Sequence, residues 1–310
     1  MKKTIISTNK IAEICGVSQG TVDRALNNRG GINPDTKARI LKVAKEYGYR
    51  PNIHASAIAG GKSMLIGVVV FDLTNQYFTD LITELESNFS KKGYSIVTMF
   101  TNKDTKREIE CIKTLYSMLV DAIVLCPINK GEDFEGFLHS LEIPIVTVGN
   151  RLNEFNYVGV DNRKAMYDAT SYVVKSGYTN LVFVMPKENL DENFTAPSDR
   201  LSGFLSCAKE NGAKAVVTDI SGAMSIAPDT KTAFICTSDI YAIKLKGLAN
   251  QNNCKIIGFD NIDLIDTLNL NIDSVFCDAK LTAKTVSNLI IAEKTDITVI
   301  PHKIIKRGSI

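Results

Sequence analysis

From Met64 onward the chain alternates short apolar runs with amphipathic helical stretches: LIGVVVF, a helix over 76–92, SIVTMFT, a helix over 105–118, AIVLC, a helix over 132–141, IVTV. Strands this uniformly apolar need cover on both faces, and crossover helices supply it, so the pattern demands parallel sheets in an α/β layer structure. A second series starts near 162: a helix over 162–176, LVFVM, a helix over 199–211, KAVVTDI, AFIC, a helix over 239–250, KIIGF, SVFC, a helix over 279–294 and a closing VIPHKII. Two similar α/β lobes follow, the second chain portion mirroring the first. The cleft between them is the default ligand site.

The first 50 residues obey a different rule. Ser7 or Thr8 caps a helix bearing Ile11, Ala12, Ile14 and Cys15, Gly16 ends it, and Ser18 caps a second helix with Val22, Ala25 and Leu26 inward. Asn33-Pro34-Asp35 opens a third, with Ile40, Val43, Ala44 and Tyr47 along one face and Gly48 as its stop. The expected organisation is a small all-α helix-turn-helix domain over 1–50, a hinge and linker over 51–63, and a two-lobed α/β body over 64–310.

Charge divides the same way. Residues 1–63 hold eleven Lys/Arg against four acids, a net of +7, while the rest holds 25 against 30, a net of −5. A cationic head on a mildly anionic body suits a phosphate backbone, although a solvated basic surface would carry the same charge. In a helix-turn-helix the second helix enters the major groove, which makes Ser18, Gln19, Gly20, Thr21 and Arg24 the candidate base readers and phosphate anchors.

Other classes find little support. The three histidines (54, 139, 302) are far apart, no G-x-S-x-G elbow or G-x-G-x-x-G turn is present, and GGKS at 60–63 lacks the P-loop's first glycine because position 56 is Ser56. No metal or cofactor is therefore expected. No apolar run approaches the roughly 20 residues that span a bilayer, and only Ile5 and Ile6 follow the starting lysines, so neither membrane insertion nor export is expected and the cytoplasm is the expected compartment. Seven scattered cysteines without a C-x-x-C pair read as reduced, mostly buried thiols.

The residues themselves are distinctive. IAEICGVSQGTVDRALN followed by INPDTKARILKVAKEYGYRPN resembles the head of the lactose-repressor (LacI/GalR) family of bacterial transcriptional regulators. The likeness continues in family order through GKSMLIGVVV, Gly93-Tyr94, VDAIVL, VGVDN, the R-x-x-G-F of Arg200 to Phe204, Thr237-Ser238-Asp239, IIGFDN and PHKIIKRGS. It implies a homodimeric repressor whose heads read a pseudo-palindromic DNA operator, and a periplasmic-binding-protein-like body that takes a small effector, a sugar or sugar derivative.

Carried over by position, the resemblance puts base reading on Gln19, Gly20 and Arg24 and phosphate contact near Thr21; Ser18 and Asn27 complete the helix's DNA-contacting set. It also puts an apolar minor-groove wedge at Ile58, within a hinge helix over 53–59. Asp72, Tyr77, Phe78, Asp161, Arg200, Asp239 and Asp260 fall at pocket positions. A solute receptor, or an α/β enzyme with an accessory helical head, is the alternative.

The chain departs from the family at four places. Gly20 replaces a larger side chain, Asp23 a common Ser, and Cys277 a frequent Gln. The stretch SGAMSIAPDTK leaves room for only about two helical turns where relatives have a longer crossover helix. That shortening predicts a second lobe trimmed at its edge.

Overall fold

A computed structural model describes residues 6–26, 28–49, 61–187 and 195–310. The chain splits into two compact units, Met1–Gly61 and Lys62–Ile310. Two expected DNA contacts, Asn27 and Ile58, lie outside the described residues.

The head holds three helices, α1 (Thr8–Cys15), α2 (Gln19–Leu26) and α3 (Pro34–Glu46). Ser7 caps α1 and Gly16, at φ +61°, closes it; a Cβ would strain that left-handed turn. Asn33 Oδ1 accepts the Asp35 N–H at 2.8 Å to start α3. The helices meet over a core that includes Ile11, Cys15, Val22, Ala25 and Ile40, while Ile14 of the first helix is 42% exposed.

In the body, the first sheet contains β1 (Leu65–Val70), β2 (Ser95–Phe100), β3 (Ala122–Leu125), β4 (Ile145–Val148) and β5 (Asn156–Val160). Between and behind them run α4 (Gln76–Ser90), α5 (Thr105–Ser117) and α6 (Glu132–His139). The second lobe begins with α7 (Asn162–Lys175), β6 (Asn180–Val184), α8 (Thr195–Glu210), β7 (Lys214–Thr218), α9 (Ile220–Ser225) and β8 (Thr232–Cys236). It continues through α10 (Asp239–Gln251), β9 (Lys255–Asp260), α11 (Leu264–Thr267) and β10 (Asp273–Phe276).

The mirrored series stops there. Helix α12 (Ala279–Ala292) returns to the first lobe, where Ala283, Val286, Leu289 and Ile290 join a core with Leu81, Leu85 and Phe89 of α4. Strand β11 (Ile297–Ile300) then pairs parallel with β5 at the edge of the first sheet. Pro301 follows directly, and β12 (Lys303–Ile305) pairs antiparallel with β10 in the second. VIPHKII is thus two strands in two sheets, split at a proline that cannot donate to a ladder. Helical periodicity identifies a buried face but carries no information about which sheet that face will cover.

The sheets share one design: β11-β5-β4-β3-β1-β2 and β12-β10-β9-β8-β6-β7. Each reverses direction of strand progression beside its first strand, β1 or β6, and such switch points open a crevice at the carboxyl ends of the strands. The chain passes between lobes after Val160, after Phe276 and after Ile300. The trimmed edge is present too, since α9 has only six residues and leaves Val216 48% and Met224 53% exposed.

Candidate functional site

On the head, Ser18 opens the second helix: its Oγ accepts the Thr21 N–H at 3.2 Å and lies 2.9 Å from the Thr21 hydroxyl. Gln19 Nε2 donates to Thr8 Oγ1 at 3.1 Å, tying the start of α2 to α1. Ser18, Gln19, Gly20 and Arg24 are exposed and Thr21 is half-buried. A Cβ on Gly20 would meet only Ser18 Oγ, at 3.9 Å, so the fold does not require glycine there. Asp23 pairs with Arg29 at 3.3 Å within the head.

In the body, the carboxyl ends of strands from both sheets line one cleft of about 450 Å³. Phe71 and Asp72 follow β1, Gly149 and Asn150 follow β4, Thr237 and Ser238 follow β8, and Asp260 ends β9. Five sequence-predicted residues meet here: Asp72, Tyr77, Phe78, Arg200 and Asp260.

Arg200 is the most constrained of them. Its guanidinium lies 3.6 Å over the Phe259 ring, Nε donates to Asn162 Oδ1 at 2.8 Å, and Nη1 donates to the Thr237 carbonyl at 2.6 Å. Gly203, one turn on, makes this placement possible. A Cβ there would fall 2.1 Å from the Arg163 carbonyl oxygen, so only glycine lets α8 approach α7 closely enough for Arg200 to reach Asn162. Nη2 stands 4.0 Å from Asp260 Oδ1, a separation that leaves charge attraction without a hydrogen bond.

Asp260 is 7% exposed and sits at φ +98°, a conformation that costs an L residue about 1–3 kcal/mol and persists only where its surroundings impose it. Burial raises its carboxyl above the ordinary value, against the pull of Arg200 and a hydrogen bond from Asn75. Asp72 differs: burial pushes it up, but the Thr74 N–H at 2.6 Å and Lys103 at 3.4 Å outweigh that and leave it lowered. Phe78, 8% exposed, belongs mainly to the first-lobe core. Tyr77 packs against the cores of both lobes, and its burial raises the phenol well above its usual value.

Two predicted pocket residues do other work. Asp161 is an exposed N-cap that accepts the Lys164 N–H at 2.8 Å; it stands where the chain crosses lobes and outside the cleft lining. Asp239 is 1% exposed, accepts the Ser274 hydroxyl at 2.6 Å and the Ile262 N–H at 2.8 Å, and is likewise absent from the lining. Its carboxyl turns back over β9, where a Cβ on Gly258 would lie 1.9 Å from Oδ1. Burial, then the neighbouring Asp260 charge, push it up to about 8.

Sequence reasoning passed over Asn75, Lys103, Asn150, Asn162, Tyr241 and Lys244, all on the cleft wall. Asn75, Asn150 and Asn162 lie a few residues beyond strand ends, in LTNQ, VGN and VDN, so strand ends were the available signal. Cys277 also lines the cleft, with burial raising its thiol. All seven cysteines are buried and free. Among the described residues no His/Cys/Asp/Glu group is set to hold a metal, and no helix is long and apolar enough to cross a membrane.

Residues 9–52 match the family described as bacterial regulatory proteins, lacI family. Residues 63–283, most of the body, match the periplasmic binding proteins and sugar binding domain of that family. The chain belongs to the LacI family. Among curated LacI-family relatives, the transcriptional regulator RegA of Clostridium saccharobutylicum is 29% identical over 67% of this chain, a stretch that spans 62% of RegA. DegA of Bacillus subtilis is 26% identical over 86% of this chain and 84% of its own length. The fold is shared with a LacI-family regulator from Silicibacter pomeroyi (TM-score 0.83, 21% identity, 97% of this chain and 98% of that one). It is also shared with the operator-bound lac repressor dimer (TM-score 0.81, 15% identity, 99% of each chain).

Proposed function

We infer that this LacI-family chain is a cytoplasmic, homodimeric repressor that binds a pseudo-palindromic DNA operator through its head and is controlled by a small hydroxylated effector, a sugar or sugar derivative. The observation that carries the effector half is the pairing of Arg200 and Asp260, 4.0 Å apart at the cleft wall. A guanidinium with free donors beside a carboxylate with free acceptors suits vicinal hydroxyls, which donate to one and accept from the other. Tyr77 adds an apolar surface for a sugar's C–H face. The basic head, with Ser18, Gln19, Gly20, Thr21 and Arg24 along α2, supports DNA reading, and Asn27 and Ile58 are included in that proposal as a helix contact and a minor-groove wedge. A structurally similar chain, the transcriptional regulator CelR in complex with cellobiose, matches 98% of this chain at a TM-score of 0.66, and the disaccharide bound there lends weight to a carbohydrate.

Genome-wide footprinting of the full chain, followed by titration of a sugar panel against the recovered operator, tests the reading. Saturable release of the operator by one sugar class is the expected result; sequence-independent DNA binding, or turnover of a sugar, would sink it. Arg24→Ala should cost about 1–3 kcal/mol at the best operator and relax preference at one base pair per half-site. An equal loss on all DNA would make Arg24 a phosphate contact.

A further inference from the structure

Asn75 faces two ways. Its Oδ1 accepts the Tyr77 N–H at 3.1 Å and so caps α4 in the first lobe, while its Nδ2 donates to Asp260 Oδ2 at 2.5 Å in the second. The two bonds fix the amide's orientation, because only its oxygen accepts and only its nitrogen donates. The carboxylate so held is buried, backbone-strained, and the same one that Arg200 approaches without bonding. A second link between lobes, from the Ala196 N–H to Asn150 Oδ1 at 2.9 Å, does not involve Asp260.

We propose that Asn75 is a positioning residue that latches the two lobes together through Asp260, and that an effector must take over this carboxylate from Asn75 to bind. The second clause rests on the effector reading above; the first does not. A neutral amide suits the task. Its bond to a carboxylate is exchangeable for one from a sugar hydroxyl at little net cost, whereas a cation in its place would hold Asp260 too tightly to yield it. The latch also couples the site to lobe arrangement, since an effector shifts operator affinity only by binding one arrangement better than another.

The test uses full-length protein carrying spin labels at E86C and K209C, one exposed position on each lobe, with the native cysteines buried. Interlobe distances are measured without ligand or DNA, after dilution with unlabelled chain. Asn75→Ser keeps an oxygen for the cap but is too short to reach Asp260; Asn75→Asp keeps the cap and sets a second carboxylate against it. Both should lengthen or broaden the interlobe distance, Asp more than Ser. Unchanged distributions in both variants would overturn the latch and leave Asn75 a helix cap. With a sugar that releases the operator, Asn75→Ser should bind it roughly two- to tenfold more tightly, the worth of one displaced hydrogen bond; equal or weaker binding would overturn the takeover. If the variants open but no sugar affects the operator, the latch stands, while the takeover falls together with the effector reading.

Discussion

In the first lobe the edge strand Ser95–Phe100 is followed by a helix of 13 residues, and in the second the edge strand Lys214–Thr218 is followed by one of six. Val97 and Val216 hold equivalent places, the third residue of each edge strand, in register with Gly67 of β1 and Val182 of β6. Val97 packs against a core that the Thr105–Ser117 helix completes, whereas Val216 is 48% exposed. The first lobe's edge sends Lys103 to the cleft; the second lobe's wall is built from α7, α8, α10 and the ends of β6, β8, β9 and β10, with nothing from β7. Trimming an edge and keeping the cleft are therefore compatible, because the cleft forms at the switch point in the middle of the sheet.

Close helix packing separates the lobes most sharply. Gly203→Ala drives a Cβ against a backbone carbonyl at 2.1 Å, while Gly67→Ala meets the movable end of Leu115 at 2.8 Å and Ile123 Cγ1 at 3.3 Å. Urea unfolding should show about 3 kcal/mol lost for the first and about 1 kcal/mol for the second; equal losses would erase the distinction. Next comes the division of labour in the cleft. Arg200→Ala should weaken effector binding by roughly 1.5–3 kcal/mol with basal operator affinity within a few-fold, whereas Lys103→Ala, half-exposed beside Asp72, should cost less than about 1 kcal/mol. Calorimetry with the operator-releasing sugar decides between them, and a reversed order would move the anchor to the first lobe.

A pH dependence should follow from Asp239. Its carboxyl is raised to about 8 in the folded protein, so the folded state holds a proton that the unfolded chain gives up near its ordinary value of about 4. That contribution is full below about pH 4 and disappears as pH climbs through 8. Asp239→Asn should flatten the fall in urea midpoint across this range, and a slope unchanged from wild type would show that the charge is tolerated. The smallest effect belongs to the edge itself: Val216→Lys should stay within about 0.5 kcal/mol of wild type and Val97→Lys should lose about 1–2 kcal/mol by the same assay.

Much of this was legible in the chain because it is local. Caps at Ser7, Asn33, Gly16 and Gly48 bracket the head helices, and apolar runs of strand length between helical patterns announce the parallel sheets, since each depends on residues within a turn or two of one another. The cleft was legible in part for the same reason. Asp72, Arg200 and Asp260 sit where strand ends and a recognisable motif put them, and the short SGAMSIAPDTK segment revealed the trimmed edge.

What the sequence by itself determined was therefore which segments form most of the helices and strands and which residues cluster at strand ends, although it passed over the strand Asn156–Val160 and read VIPHKII as one run. The tertiary structure alone decided which sheet each segment joined and which way each polar side chain turned. The Ala279–Ala292 helix has an apolar face that would cover either sheet, and it covers the first; Ile297–Ile300 has hydrogen-bonding edges that either sheet would accept. Asp239 and Asp260 both follow apolar strands, yet one turns inward to Ser274 and Ile262 and the other meets Asn75 from 185 residues away. Such choices depend on burial and hydrogen bonding between distant residues, and short-range patterns do not encode those partners.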